Sequence, residues 1–249
     1  MSSFVIIGAG ECGARAALAL RDRGFAGHVT LVGDEELPPY ERPPLSKDGI
    51  VAGAEPKPVA GTERFAELGI ELQLGVAVQS LDRRAKTVVL ADGSALHYDK
   101  LLLATGSRPR SLPDLPRSDL IRTLRGHADA LAIRGLLTGG RRLAILGGGF
   151  IGLELAASAT KLGASVTVLE ARPRILARGV PAAIAERIAG RHRAEGVDLV
   201  CDARISTVEE KDGTVHLSLD SGRLISADLL VVGIGSLPNT ELAAAAGLH

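Results

Sequence analysis

The sequence predicts an α/β fold made of two copies of one unit, each interrupted by an inserted β-meander. Three observations carry that prediction. An apolar run, Phe4-Val5-Ile6-Ile7, feeds a glycine turn, Gly8-Ala9-Gly10-Glu11-Cys12-Gly13, and an Ala- and Leu-rich helix. The same arrangement recurs where Leu143-Ala144-Ile145-Leu146 runs into Gly147-Gly148-Gly149-Phe150-Ile151-Gly152. A buried strand ending in small residues, Asp99 to Ser107, is echoed by Asp228 to Ser236. A repeat of that kind makes an accidental cluster of glycines improbable, so the two units read as Rossmann-like and dinucleotide-binding.

In the first unit, Phe4 to Ile7 is a fully buried strand. Gly8 permits the tight turn out of it, Gly10 lets backbone approach a pyrophosphate, and Gly13, with Ala17 one turn on, lets the helix lie close on the sheet. An anion on that helix N-terminus meets free N–H groups and the positive end of the helix dipole. Val29 to Val32 is the next strand, followed by Gly33-Asp34-Glu35-Glu36 about twenty residues past the glycines, where a carboxylate would accept hydrogen bonds from an adenosine ribose. On spacing alone, Asp34 and Glu35 fit a solvated acidic turn equally well. Leu37 to Lys47, with its paired prolines, reads as a stiff loop. Val76 to Leu81, Thr87 to Ala91 and Ala95 to Tyr98, with Asp92-Gly93 as a hairpin turn, form the meander. The small residues Ala104-Thr105-Gly106 then let backbone approach a ligand at the carboxyl edge of the sheet. Arg108-Pro109 and Leu112-Pro113 mark a boundary, giving domains 1–112 and 113–239 and a last segment, 240–249.

The second unit repeats this order. Ala156 stands four residues after Gly152, as Ala17 does after Gly13, and Val166 to Leu169 ends in Glu170, closer to the expected offset than Asp34. A carboxylate at 170 would accept both ribose hydroxyls of NADH and repel the extra phosphate of NADPH. Coulomb energies near a surface are about 4 kcal/mol for unit charges 4 Å apart at an effective dielectric of 20, leaving about two decades of preference after screening. Arg172 and Arg174 close behind could soften it, and a solvated turn is the alternative for this stretch. Glu154 is expected in the first turn of the following helix, where the dipole alone would explain a carboxylate. Strands around Ile205 to Val208, Val215 to Leu219 and Leu224-Ile225 make the second meander.

Composition excludes several classes. Hydrophobic residues at 46% and charged residues at 23% suit a globular protein with a large core. Net charge is zero and there is no basic block, which argues against nucleic acid as a partner. No apolar run approaches membrane-spanning length, and Glu11 and Arg15 interrupt the N-terminal stretch before it could act as a signal peptide. Two distant cysteines, Cys12 and Cys201, make no disulfide framework and fit the reducing cytoplasm. Six histidines without ligand spacing give no metal site, and Glu35-Glu36 and Glu209-Glu210 read as solvated turn charges. Two dinucleotide sites in one short chain suggest two dinucleotides with electrons passing from nicotinamide to flavin.

The segment Tyr40, Arg42, Pro43, Pro44, Leu45, Ser46, Lys47, following Val32-Gly33-Asp34, resembles the FAD-dependent NADH:ferredoxin reductases of the rubredoxin and putidaredoxin type, within the pyridine nucleotide-disulfide oxidoreductase superfamily. Ala104-Thr105-Gly106 with Pro109 is similar to that family's ATGxxP stretch. The resemblance implies FAD on the first unit, NAD on the second, and a small iron–sulfur protein, a ferredoxin or rubredoxin serving an oxygenase, as partner. It implies that Arg42 and Lys47 contact the flavin, and that Glu154 lies beside the nicotinamide, paired with Lys47, both tuning the flavin. It further implies that Arg122 sits at FAD and Cys12 on its pyrophosphate, and it adds Val78, Thr105, Gly106 and Gly235 to the cofactor-binding set. Residue by residue, a solvated lysine at 47, a surface arginine at 122 and a packed helix thiol at 12 remain open. The CxxxxC or CxxC of disulfide reductases is absent near Glu41 to Lys47, which disfavours disulfide substrates. Residues 235–242 resemble the exit from the NAD domain, so 240–249 is expected to begin a returning FAD-domain segment that is cut short. An NADH-responsive interaction protein of the apoptosis-inducing-factor kind, and the front end of an NADH-nitrite reductase or NADH oxidase, are the alternatives.

Overall fold

A computed structural model describes residues 2–113 and 115–248. The chain divides into two compact units, Met1–Glu41 with Lys57–Arg108 and Pro238–His249, and Arg42–Pro56 with Pro109–Leu237.

The first unit is a four-stranded parallel sheet in the order Ile70–Gln73, His28–Val32, Ser3–Ile7, Lys100–Leu103. Its central strand alternates between two cores. Ile6 faces helix Glu11–Asp22 together with Ala14, Ala17, Val29, Leu31 and Phe65, while Val5 and Ile7 face Val32, Val88, Leu90 and Tyr98. A strand buried on both faces shows an unbroken apolar run, which is why Phe4 to Ile7 announced itself. The antiparallel meander Val78–Asp82, Thr87–Leu90, Ala95–His97 stands on the second of those cores. The chain returns to this unit near its end, where helix Glu241–Ala245 lays Leu242 against the meander core.

The second unit is a five-stranded parallel sheet in the order Asp198–Val200, Ser165–Leu169, Arg142–Leu146, Leu229–Val232, Ile121–Arg122. Helix Phe150–Lys161 follows its glycine turn, and a meander of Ile205–Lys211, Thr214–Leu219 and Leu224–Ala227 covers one face through Ala144, Leu146, Val215 and Leu217. Both units therefore carry the expected Rossmann-like core with an inserted β-meander.

Two expectations are corrected. Leu37 to Lys47 is not loop throughout, because Pro43–Ser46 is a 3₁₀ turn leading into the short helix Asp48–Val51. Prolines are compatible with a first helical turn, where their missing N–H groups would have had no acceptor. The boundary at residue 112 also misses that 42–56 belongs to the second unit. Arg134, on helix His127–Leu136, donates to the Ile50 and Val51 carbonyls at 2.7 and 2.5 Å and caps the short helix.

Candidate functional site

In the second unit the glycine turn is shaped from below and open above. Gly147 has φ +109°, and a Cβ there would lie 2.4 Å from the Gly233 carbonyl oxygen. A Cβ on Gly152 would lie 2.1 Å from the Gly147 carbonyl oxygen. A Cβ on Gly149 would meet nothing within 4 Å, and Gly149 caps helix Phe150–Lys161 with no side chain on the helix N-terminus. The first N–H groups of a helix lack intrahelical acceptors, so this end is ready for an anion. Above it opens a cavity of about 610 Å³ lined by Gly147 to Gly152, Glu170, Arg172, Arg178 and Gly233 to Ser236. Phe150 and Ile151, 63% and 53% exposed, stand on its wall.

Glu170 directly follows strand Ser165–Leu169. Its Oε2 accepts the Gly148 N–H at 2.8 Å and its Oε1 accepts the Arg172 N–H at 2.9 Å. A carboxylate has about four acceptor positions, so lone pairs remain for a ribose. Arg174 turns away, donating to the Ile175 and Ala177 carbonyls, whereas Arg172, Arg178 and Arg204 line the cavity.

The first unit repeats the turn. A Cβ on Gly8, φ +113°, would lie 2.1 Å from the Ala104 carbonyl oxygen, one on Gly13 2.0 Å from the Gly8 carbonyl oxygen, and one on Gly10 in open space. Its acidic corner differs. Gly33, which donates to Gln73 as Glu170 donates to Val200, occupies the place of Glu170. Asp34 is exposed, and Glu35 accepts the Tyr40 hydroxyl at 2.5 Å. Cys12 is exposed on the first turn rather than packed, and Val78 opens the meander strand, half-buried. Thr105 donates from Oγ1 to the Asn239 carbonyl at 2.7 Å, and the Asn239 amide and N–H bond the Thr105 and Gly106 carbonyls at 2.8 and 3.0 Å. The sheet edge at Thr105-Gly106 is thus latched to the returning chain.

In the second unit, Lys47 Nζ lies 2.8 Å from Glu154 Oε2 and 3.0 Å from the Pro43 carbonyl. Glu154 is the fifth residue of its helix, past the first turn, so the dipole does not account for it and the lysine does. Arg42 donates to the Arg125 carbonyl at 2.7 Å. Arg122 is held by Asp119, through Nη2 to the carboxylate at 2.9 Å and Nε to the carbonyl at 2.8 Å. Gly235, φ +120°, lines the cavity and accepts the Arg110 N–H. Sequence reasoning missed Ser46 and Ser158, which bond around Glu154, and Arg204, carried to the cavity by chain pairing between 170–172 and 202–203. Only the i, i+4 spacing of Glu154 and Ser158 was visible beforehand.

The two cysteines are free, and burial pushes the Cys201 thiol up. Among the described residues no cluster of His, Cys, Asp or Glu could hold a metal ion, and no helix is long and apolar enough to cross a membrane.

Two glycine-cradled helix N-termini on parallel sheets, one beneath a cavity with an acidic rim, define a protein with two dinucleotide-binding units. The chain belongs to the pyridine nucleotide-disulphide oxidoreductase family, whose model matches residues 2–249. It is similar to rhodocoxin reductase of Rhodococcus erythropolis, 41% identical over 251 residues that cover 99% of this chain and 58% of that protein. Putidaredoxin reductase of Pseudomonas putida is 40% identical over 99% of this chain and 61% of its own length. Among solved structures, the covalent putidaredoxin reductase–putidaredoxin complex superposes with TM-score 0.94 at 37% identity, over 100% of this chain and 62% of the reductase. The chain thus spans about three fifths of the length of these relatives.

Proposed function

We propose that this chain binds FAD on its first unit and NADH on its second, and works in an NADH-dependent reductase that hands electrons to a ferredoxin or rubredoxin serving an oxygenase in the cytoplasm. The observation that carries the reading is the cavity of the second unit, where Gly149 leaves open space at the helix N-terminus and Glu170 stands on the rim, which supports a pyrophosphate and a ribose there. The residues fit the groups. In each unit a glycine whose Cβ would meet nothing, Gly10 or Gly149, caps a helix, and glycines with no room for a Cβ hold its base. When bound, FAD would supply acceptance of a hydride from nicotinamide and one-electron release to an iron–sulfur partner.

The protein's own part is placement. The helix N-termini hold the pyrophosphates, Glu170 accepts the adenosine ribose hydroxyls, and Phe150 and Ile151 give an apolar wall that excludes water from the nicotinamide half. Val78, Thr105 and Gly106 serve the flavin on the first unit, and in the second unit Lys47 is the cation, paired with Glu154, that serves flavin reduction. The names of the relatives at 40 and 41% identity support a redoxin reductase. The likeness to a water-forming NADH oxidase, at 24% identity, concerns the fold alone.

The test is anaerobic mixing of the FAD-loaded protein with NADH, followed by addition of a ferredoxin or a rubredoxin. Bleaching of the flavin and then reduction of the iron–sulfur protein are the expected results. Protein that neither retains FAD nor binds NADH would overturn the reading.

A further inference from the structure

Ser46 and Ser158 are buried, at 4% and 5% exposure. A buried hydroxyl is unfavourable unless hydrogen-bonded, and these two are bonded around one point. Ser46 Oγ donates to Glu154 Oε2 at 2.5 Å, and Ser158 Oγ donates to the Ser46 carbonyl at 2.7 Å. Glu154 and Ser158 are four residues apart on helix Phe150–Lys161, one turn along the same face. That helix therefore grips Ser46 twice, by its side chain and by its carbonyl.

Lys47 is the next residue, and its ammonium shares Glu154 Oε2 with the Ser46 hydroxyl. The lysine and glutamate side chains are 48% and 36% exposed. An ion pair that open does little to fix its own geometry, because water screens it and two long side chains lose rotamer entropy. The fixed part of the arrangement is the buried pair of serines.

The geometry points to Ser46 and Ser158 as positioning residues that keep the Lys47 ammonium in register with Glu154 during flavin reduction. The inference rests on the proposed function for the step it serves. A hydroxyl that merely fastened segment 42–56 would have the same effect whatever stood at 154. Loss of a positioning hydroxyl slows the reaction only while a glutamate stands at 154.

The experiment compares Ser46→Ala, Ser158→Ala and Ser158→Thr in the wild-type and Glu154→Gln backgrounds. Flavin reduction by NADH is followed by stopped flow, with the NADH dissociation constant taken from saturation of the rate. Each alanine variant is expected to slow reduction roughly fivefold, the rate equivalent of one net hydrogen bond, with binding changed less than about twofold. Ser158→Thr should restore the rate, and neither alanine should have an effect in the Glu154→Gln background. Equal losses in both backgrounds, or no loss in wild type, would overturn the inference.

A second readout needs no turnover: the Lys47 ammonium proton–nitrogen resonance, identified by its loss in Lys47→Arg. It should be sharp in the parent, broadened by water exchange in both alanine variants, and sharp again in Ser158→Thr. A signal unchanged by either alanine overturns the positioning role. A parent flavin that NADH does not reduce, with the ammonium signal behaving as stated, sinks the reductase reading and leaves the positioning of Lys47 intact.

Discussion

Gly147, Gly149 and Gly152 are alike in sequence and different in surroundings. Gly147 has a left-handed φ and its missing Cβ is replaced by the Gly233 carbonyl, so Gly147→Ala should lower stability by about 2 kcal/mol or more. Gly149, with φ −84° and open space about it, should accept alanine with almost no change in melting temperature. Its new methyl would stand where the pyrophosphate approaches, so NADH binding should weaken at least about tenfold, the effect of losing one good backbone contact. Equal melting loss in both variants, or unchanged NADH affinity in Gly149→Ala, would contradict this assignment. At the same scale the two acidic corners differ. Gly148 leaves 3.2 Å between its missing Cβ and the Cβ of Glu170, whereas in the first unit the bulk is exchanged: Ala9 stands in the turn and Gly33 at the strand end, where a Cβ would collide with the Ala9 Cβ at 2.5 Å. Spacing rules count residues and cannot see that exchange, so they name Asp34 and Glu35 by offset alone. Glu170→Ala should weaken NADH binding and narrow its preference over NADPH, because the ribose acceptor and the phosphate-repelling charge are lost together. An unchanged affinity ratio would remove Glu170 from the site.

Among the elements, the parallel strands were readable because burial on both faces leaves an unbroken apolar run, as at Leu143 to Leu146 and Leu229 to Val232. Segment 42–56 was not, since its place is decided by contacts distant in sequence. Helix His127–Leu136 begins with the Asp129 carboxylate accepting the Arg125 and Gly126 N–H groups at 2.8 Å each. It ends near Arg134, whose Nη1 donates to the Ile50 and Val51 carbonyls. Neither partner of Arg134 can be inferred from periodicity. Charge-assisted bonds of this kind contribute roughly 1 to 3 kcal/mol in partly buried settings. Arg134→Ala is therefore expected to lower stability by about that amount and to speed amide hydrogen exchange over 47–54, leaving exchange in the central strand Arg142–Leu146 unchanged. Uniform acceleration across the second unit would mean that Arg134 supports the whole fold rather than the segment carrying Lys47.

At the scale of the whole chain, the two units repeat down to single hydrogen bonds. Gly8 donates to Val32 as Gly147 donates to Leu169, and Ala104 donates to Ile7 as Gly233 donates to Leu146. Each closing strand is entered through an aspartate paired with the first residue of the central strand. Asp99 donates to the Ser3 carbonyl and its carboxylate accepts the Ser3 N–H at 2.7 Å; Asp228 donates to the Arg142 carbonyl and accepts the Arg142 N–H at 2.8 Å. The repeated Asp at positions 99 and 228 was visible in the sequence, but not that it begins the sheet register. Both carboxyls are held below the usual carboxylate range, Asp99 chiefly by the Ser3 N–H and Asp228 chiefly by the Arg142 side chain. A carboxyl depressed in the folded state stabilises the fold above its unfolded value, about 3.9, and that contribution is lost as pH falls through the lower folded value. Asp228 is the less exposed and has the guanidinium as well, so it should dominate, by no more than about 1 kcal/mol for a pair this close to water. Asp228→Asn should melt below wild type at pH 7, and the gap should narrow as the medium is acidified through the carboxyl's lowered folded-state value, where the wild-type side chain becomes neutral. Melting curves recorded in steps downward from pH 7 decide it: a gap that stays constant would mean that the side chain acts through shape, and that the charge pair between the central and closing strands contributes nothing to the second unit.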